Sequence, residues 1–297
     1  MRMSIIAHAV LVLSYLACVA VADSTTSVRV MSFNLRTTLA KDPCPSGCWD
    51  QRQARIRQLL QRYNPDLIGT QEDAPDQVAF FTDALGYASL GPCANNERNA
   101  IFYKRNDWNV LESSTFALSA TPDQLPSNTW NLEYLRAAVW ARFQHRATGR
   151  VVCMLNTHYD ITRGQPESSV LVAERLGRHC HATDSVFMTG DLNTEPSSVA
   201  VQYLLNKAAI AGHNTPIPLY EALTVAGAGG PTWIGSSFGD QPTGGKIDYI
   251  LSRQDNATCV QRGIVILDRF DGYSCSDHAV VQAEFCLGTA CTQCKAA

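Results

Sequence analysis

The chain has 297 residues, enough for one large domain or two ordinary ones, and 45% hydrophobic with 17% charged residues is the balance of a folded protein with a sizeable core. Lys and Arg number 24 against 27 Asp and Glu, a formal charge of −3. That argues against a tight, sequence-independent nucleic-acid binder, because such binding runs on phosphate neutralisation. It does not exclude an enzyme with transient nucleic-acid contact. No internal repeat, low-complexity tract or charge run marks a linker, so one domain is expected.

The first residues read as an export signal. Arg2 precedes an apolar stretch from Ile5 to Val21, and Ala20-Val21-Ala22 supplies small residues for cleavage before Asp23. A signal peptide over 1–22 and a secreted catalytic domain over 23–297 are therefore expected. An uncleaved anchor is the rival, disfavoured by the shortness of the stretch. No second segment is long and apolar enough to span a bilayer, so no stable membrane insertion is expected. Of 11 cysteines, Cys18 falls in the signal and leaves an even number, which favours disulfides in an exported protein. Cys44 with Cys48 can close a small loop. From about residue 286 the tail is Cys-rich, with Cys286, Cys291 and Cys294; zinc is a weak rival there because paired CxxC units are lacking. Asn256-Ala257-Thr258 is a glycosylation sequon.

In chain order, Val28–Phe33 alternates as a half-buried strand does and delivers Asn34 at its end. A helix is predicted over Gln51–Tyr63 with Asp50 as N-cap, and its arginines (Arg52, Arg55, Arg57, Arg62) read as a solvated face. Placement of Arg52 or Trp49 near a site is the alternative. Asn64-Pro65-Asp66 stops that helix. Leu67–Thr70 is a short strand that runs straight into Gln71-Glu72-Asp73. Val78, Phe81 and Leu85 mark a second helix, closed by Gly86. Asn99–Lys104 reads as a strand with Trp108–Phe116 as its partner, and Leu135–Phe143 and Val151–Leu155 as two more, the latter leading into Asn156-Thr157-His158-Tyr159. A helix over Glu167–Arg178 returns the chain to the apolar run Ser185–Thr189. Beyond that run stands the polar loop Gly190–Pro196. A helix over Ser197–Leu205 follows, then an irregular Gly/Pro-rich stretch from Gly212 to Gly245 that holds Trp233. Two strands close the domain: Lys246–Leu251, and Ala279–Phe285 after Ser276-Asp277-His278. Helices alternate with strands, yet some strands pair as hairpins, so a mixed α/β sandwich fits better than a parallel sheet.

The strands deliver Asn34, Glu72, His158, Asp191 with Asn193, and Asp277 with His278 at their ends, as if to one edge. Asp191 and Asn193 lie two apart, so in extended backbone they share a face: a carboxylate to take a proton from water and a carboxamide to hold that water in line. Asp248, inside an apolar strand, needs a partner, and His278 is the candidate: a carboxylate on one ring nitrogen raises the basicity of the other. Arg136 is either a phosphate clamp or a surface ion pair. Trp233 either stacks on a sugar or base or anchors its loop from within. Tyr103 reads as packing, and His179 and His181 as solvated residues around Cys180.

Six ordered segments (Met31–Asn34, Gly69–Glu72, Asn156–His158, Gly190–Asn193, Lys246–Tyr249 and Ser276–His278) resemble the endonuclease/exonuclease/phosphatase family, a group of metal-dependent phosphohydrolases, over about residues 28 to 285. Asn99–Tyr103 and Trp140–Phe143 resemble a microbial branch. The resemblance implies a DNase I-like, four-layer α/β sandwich with its site at one edge of two packed sheets. It implies Glu72 as principal metal ligand with Asn34 and Asp277 beside it, His158 and Asn193 on the phosphate, and Asp191 orienting or deprotonating water. His278, supported by Asp248, is implied to stabilise charge on phosphorus. An oxygen-rich set with one glutamate suits Mg²⁺, with Mn²⁺ as a substitute. A phosphoesterase is expected, a monomer acting on a phosphate ester, phosphodiesters ranking before phosphomonoesters because no second metal cage is evident. A nuclease, a sphingomyelinase-like phospholipase C, a sugar or inositol phosphatase and an inert binding protein on the same fold are the alternatives.

Overall fold

Side-chain alternation on the central strands builds three apolar layers at once. In the computed structural model, which describes residues 26–91, 99–239, 241–255 and 257–288, twelve strands form two six-stranded sheets among those residues. The expected signal at 1–22, Asn256, Cys291 and Cys294 lie outside them. In chain order the elements are β1 (Thr26–Asn34), α1 (Trp49–Tyr63), β2 (Leu67–Gln71), α2 (Pro75–Ala79), β3 (Ala88–Leu90), β4 (Asn99–Tyr103), β5 (Trp108–Ala117), β6 (Ala137–His145), β7 (Val151–His158), α3 (Gln165–His179), β8 (Ser185–Asp191), α4 (Val199–Leu204), β9 (Leu219–Glu221), α5 (Ala222–Val225), β10 (Asp248–Arg253), β11 (Thr258–Ile266) and β12 (Val280–Leu287). A π-helical turn, Phe80–Ala84, extends α2.

The first sheet runs β11-β12-β1-β2-β4-β3 and the second β5-β6-β7-β8-β10-β9. In each, the third and fourth strands are parallel and every other neighbouring pair is antiparallel. Val28 and Val30 of β1, Val139 and Phe143 of β6, Val152 and Met154 of β7 and Phe187 of β8 face the layer between the sheets. Their neighbours in sequence face outward: Met31 and Phe33 pack under α1 and α2, and Trp140, Cys153, Leu155 and Met188 under α3 and α4. Each such side chain contributes about 1.5–3 kcal/mol on burial. This is the four-layer α/β sandwich the sequence predicts.

Several local expectations are corrected. β1 is buried on both faces toward its end rather than half-buried, because a layer covers each side of the first sheet. Trp108–Phe116 does not partner β4. It crosses to the second sheet and pairs with β6, since β3 and β2 already occupy both edges of β4. The N-cap of α1 is Cys48, with Asp50 in the first turn. Arg52 and Arg55 are not on a solvated face: both are 1% exposed. The Arg52 guanidinium donates to the carbonyls of Gly47, Leu35 and Arg36, and that of Arg55 to Pro45 and Ser46. They are buried because a loop, closed by the Cys44–Cys48 disulfide, folds over α1 and presents carbonyls that need donors. A second disulfide joins Cys153 to Cys180. His179 is half-buried, stacked on Trp140 with ring centroids 4.1 Å apart, rather than solvated. Tyr103 packs against Phe143, as expected. No helix among the described residues is long and apolar enough to cross a membrane.

Candidate active site

Strand direction brings the polar residues to one edge. β1 and β2 run parallel and end there with Asn34 and Gln71, and β7 and β8 run parallel and end with His158 and Asp191 in register. β10 is antiparallel to β8, so its first residue, Asp248, lies opposite Asp191. β12 is antiparallel to β1, so Asp277 and His278, just before it, arrive at the same edge.

Asn34 joins the sheets. Its Nδ2 donates to Glu72 Oε1 at 3.2 Å in the first sheet and to Asp191 Oδ2 at 3.0 Å in the second. Beneath it Asn156 satisfies all four of its hydrogen-bonding positions: it accepts from Gln71 Nε2 and Thr189 Oγ1, and donates to the carbonyls of Thr70 and Ala100. Gly69 permits this approach, because a Cβ there would collide with Thr189 Oγ1 and Asn156 Oδ1. Asn156 stands in a motif visible in the sequence, but its role as a sheet-to-sheet clamp was not.

His278 Nδ1 donates to Asp248 Oδ2 at 2.9 Å, while its Nε2 stands 3.7 Å from Asp191 Oδ2, beyond hydrogen-bond reach. Burial alone would lower the imidazolium's pKa, but Asp248 and Asp191 together outweigh it and hold His278 up at about 10. Asp191, 1% exposed, is pushed up to about 7, mainly by burial and further by Asp248, against His278 and the bonds from Asn193 N and Asn34. Asn193, held at φ 47°, donates its backbone N–H to Asp191 Oδ1 at 3.0 Å. Its Nδ2 donates to Tyr159 O at 2.9 Å and meets His158 Nε2 at 3.0 Å. Burial, Arg136 and His278 keep the His158 ring neutral. With Nε2 accepting from Asn193, the His158 proton sits on Nδ1, which is buried with no partner among the described residues.

On the other side, Glu72 Oε2 accepts the Thr37 backbone N–H at 3.2 Å. Asp277 accepts from Ser276 Oγ at 3.1 Å and meets Arg36 at 3.4 Å. Burial and Glu72 push its carboxyl up, against His278 and Arg36. Arg36, which sequence reasoning missed, is gripped by Asp42 at 2.9 and 3.0 Å. Two groupings could therefore hold a cation. Asp191, Asp248 and His278 place ligand-type atoms within 4.8 Å of one another, yet a protonated His278 already sets a positive charge among them. Glu72, Asp277 and Asn34 offer two carboxylates and a carboxamide, the kind of oxygen donors Mg²⁺ prefers, with Arg36 on their flank 3.4 Å from Asp277.

Arg136 lines a cavity of about 480 Å³ beside Glu72 and His158, its side chain 11% exposed and in loose ion-pair contact with buried Asp160 at 4.0 Å. Trp233 is 42% exposed and bridges by its backbone to His278, so it does not anchor its loop from within. It stands next to the site and is in contact with Gly244.

The fold has close solved counterparts. A family protein from Bacteroides thetaiotaomicron is 25% identical with a TM-score of 0.76, covering 89% of this chain and 99% of its own. The mannosyl-6-phosphatase Bt3783 of the same species is 25% identical with a TM-score of 0.72, covering 87% and 99%. An uncharacterised protein of Acanthamoeba polyphaga mimivirus is 25% identical over 163 residues, half of this chain and 60% of the relative's length. The family model described as Endonuclease/Exonuclease/phosphatase family matches residues 31–278, the span that carries every side chain of this edge, and the chain belongs to that family.

Proposed function

We propose that the protein is an exported, metal-dependent phosphoester hydrolase in which Asp191 takes a proton from water attacking phosphorus in line. The single observation that carries this reading is the Asp248–His278–Asp191 array, facing Glu72 across Asn34. Its likeness to a sugar phosphatase supports it as well. In the reaction the water oxygen bonds to phosphorus, the P–O bond to the alcohol breaks, Asp191 accepts the water's proton, and the alcohol leaves protonated from solvent. Asp248 holds the His278 ring in place so that Nε2–H points to phosphoryl oxygen, where negative charge grows. Glu72, Asn34 and Asp277 would hold the divalent cation, Mg²⁺ or Mn²⁺, which supplies Lewis-acid charge to the phosphoryl oxygens. His158 and Asn193, whose side chains meet at 3.0 Å beside Asp191, form the wall against which the phosphate rests, and Trp233 offers an exposed ring next to it.

The test is an assay of the purified chain with Mg²⁺ or with EDTA against p-nitrophenyl phosphate, bis-p-nitrophenyl phosphate, plasmid DNA and sphingomyelin, with Asp191→Asn as control. Turnover that needs metal and Asp191 is expected. Its absence on every substrate would favour the inert binding protein.

A further inference from the structure

The cavity beside Glu72 and His158 has a cation at its base that the chain leaves uncommitted. Arg36 at one wall is gripped by Asp42 and touches Asp277. Arg136, its side chain only 11% exposed, has one loose contact, Asp160 at 4.0 Å. Its side chain makes no hydrogen bond among the described residues, and its buried Nε lacks a partner. Asp160 is already occupied, accepting the backbone N–H groups of Tyr134, Thr162 and Arg163 and the Thr162 hydroxyl. A guanidinium withdrawn from water in this way needs anionic oxygen. The outer wall is apolar: the Tyr134 ring lies 5.1 Å from the Arg136 guanidinium carbon, and Tyr134 and Ile161 are 51% and 55% exposed. A volume of about 480 Å³ accommodates one small molecule and not a polymer track.

We infer that this cavity selects phosphomonoesters of small alcohols over phosphodiesters, with Arg136 reading the extra charged oxygen and Tyr134 and Ile161 holding the alcohol's carbon skeleton. This rests on the hydrolase reading above and reverses the ranking that the ligand count alone suggests. A diester sets an uncharged ester group where a monoester sets O⁻, and so leaves a buried guanidinium without a partner, a loss that discriminates strongly. The bond changes are those of water attack on the monoester, yielding alcohol and inorganic phosphate.

The experiment has a catalytic and a binding arm. With Mg²⁺, wild-type kcat/KM is expected to favour p-nitrophenyl phosphate over bis-p-nitrophenyl phosphate. Arg136→Gln should shrink that ratio by about 30-fold or more, the size expected for one charge-assisted bond to a buried partner, and Arg136→Lys should restore part of it. Tyr134→Ala should raise KM for the monoester more than it lowers kcat. By calorimetry on the same proteins, Arg136→Gln should weaken inorganic phosphate at least tenfold more than dimethyl phosphate. A wild-type preference for the diester, equal losses on both esters, or equal weakening of both anions would overturn the inference. Absence of turnover on both esters would sink the hydrolase reading, and the calorimetry would still decide the cavity.

Discussion

At the scale of single residues the site is a matter of who holds which proton. The proposed reaction uses Asp191 ionised and His278 protonated, so kcat/KM should rise through about pH 7 and fall through about pH 10. A bound cation will draw the acid limb lower. Asp248 is the strongest of the groups holding the imidazolium up, so Asp248→Asn should move the alkaline limb to lower pH, as a pH–rate profile will show. The same shift enters stability. His278 binds its proton more tightly when folded than at the ordinary 6.5, so its contribution is complete below that pH and is lost as pH rises toward about 10. Denaturant melts of the metal-free protein should weaken across that window. Asp191→Asn and His278→Ala should each cost at least 10²–10³ in kcat; Asp191→Asn should keep a melting midpoint close to wild type, whereas His278→Ala, which leaves Asp248 buried without its imidazolium, should lower it. The six motifs made these residues legible because they stand next to apolar runs. Arg36 and Arg136 were harder to read, since a lone arginine in sequence does not disclose whether a carboxylate waits for it.

At the scale of elements, two features carry the geometry. The sheets close on each other through Asn156 and the missing side chain of Gly69, so Gly69→Ala should cost about 1–3 kcal/mol and loosen the Asn34 bridge. Urea melts and kcat should both register it. The second feature is the loop over α1. Arg52 donates to the backbone just after Asn34, tying the Cys44–Cys48 loop to the end of β1. Arg52→Met should cost about 2–4 kcal/mol, because three carbonyls lose charged donors. Periodicity marked α1 but assigned these arginines to solvent, as it must. A helical face read in isolation cannot show that a cross-linked loop will cover it. β5 was misassigned for a related reason: adjacency in sequence suggests a hairpin, and only the filled edges of β4 exclude one.

At the scale of the whole molecule, the oxygen cluster of Glu72, Asn34 and Asp277 spans segments far apart in sequence, so a cation bound there links them. Mg²⁺ at about 100 times its Kd should stabilise the fold by ~2.7 kcal/mol, and EDTA should reverse the rise in melting temperature. Glu72→Gln should flatten that response. A mixed α/β sandwich was legible in the strand and helix patterns, and its four layers came with the family resemblance. The duplication of strand pattern between the sheets was not, because it is a repeat of directions and carries no repeat of residues.

The order in which the sheets are threaded has a temporal consequence. The whole second sheet, residues 108–253, is inserted between β4 and β11 of the first, and β12 is the last strand described. A chain emerging from the ribosome therefore completes the half that bears His158 and Asp191 while β1 still lacks β12 along one side. Asp277 and His278 come off only after every described strand but β12. Until they do, Asp248 has no imidazole and Glu72 no second carboxylate, so a nascent chain that has not reached them lacks the proposed chemistry. A chain truncated anywhere before residue 277 should be inert on every phosphoester, so partly built chains should carry none of the proposed activity.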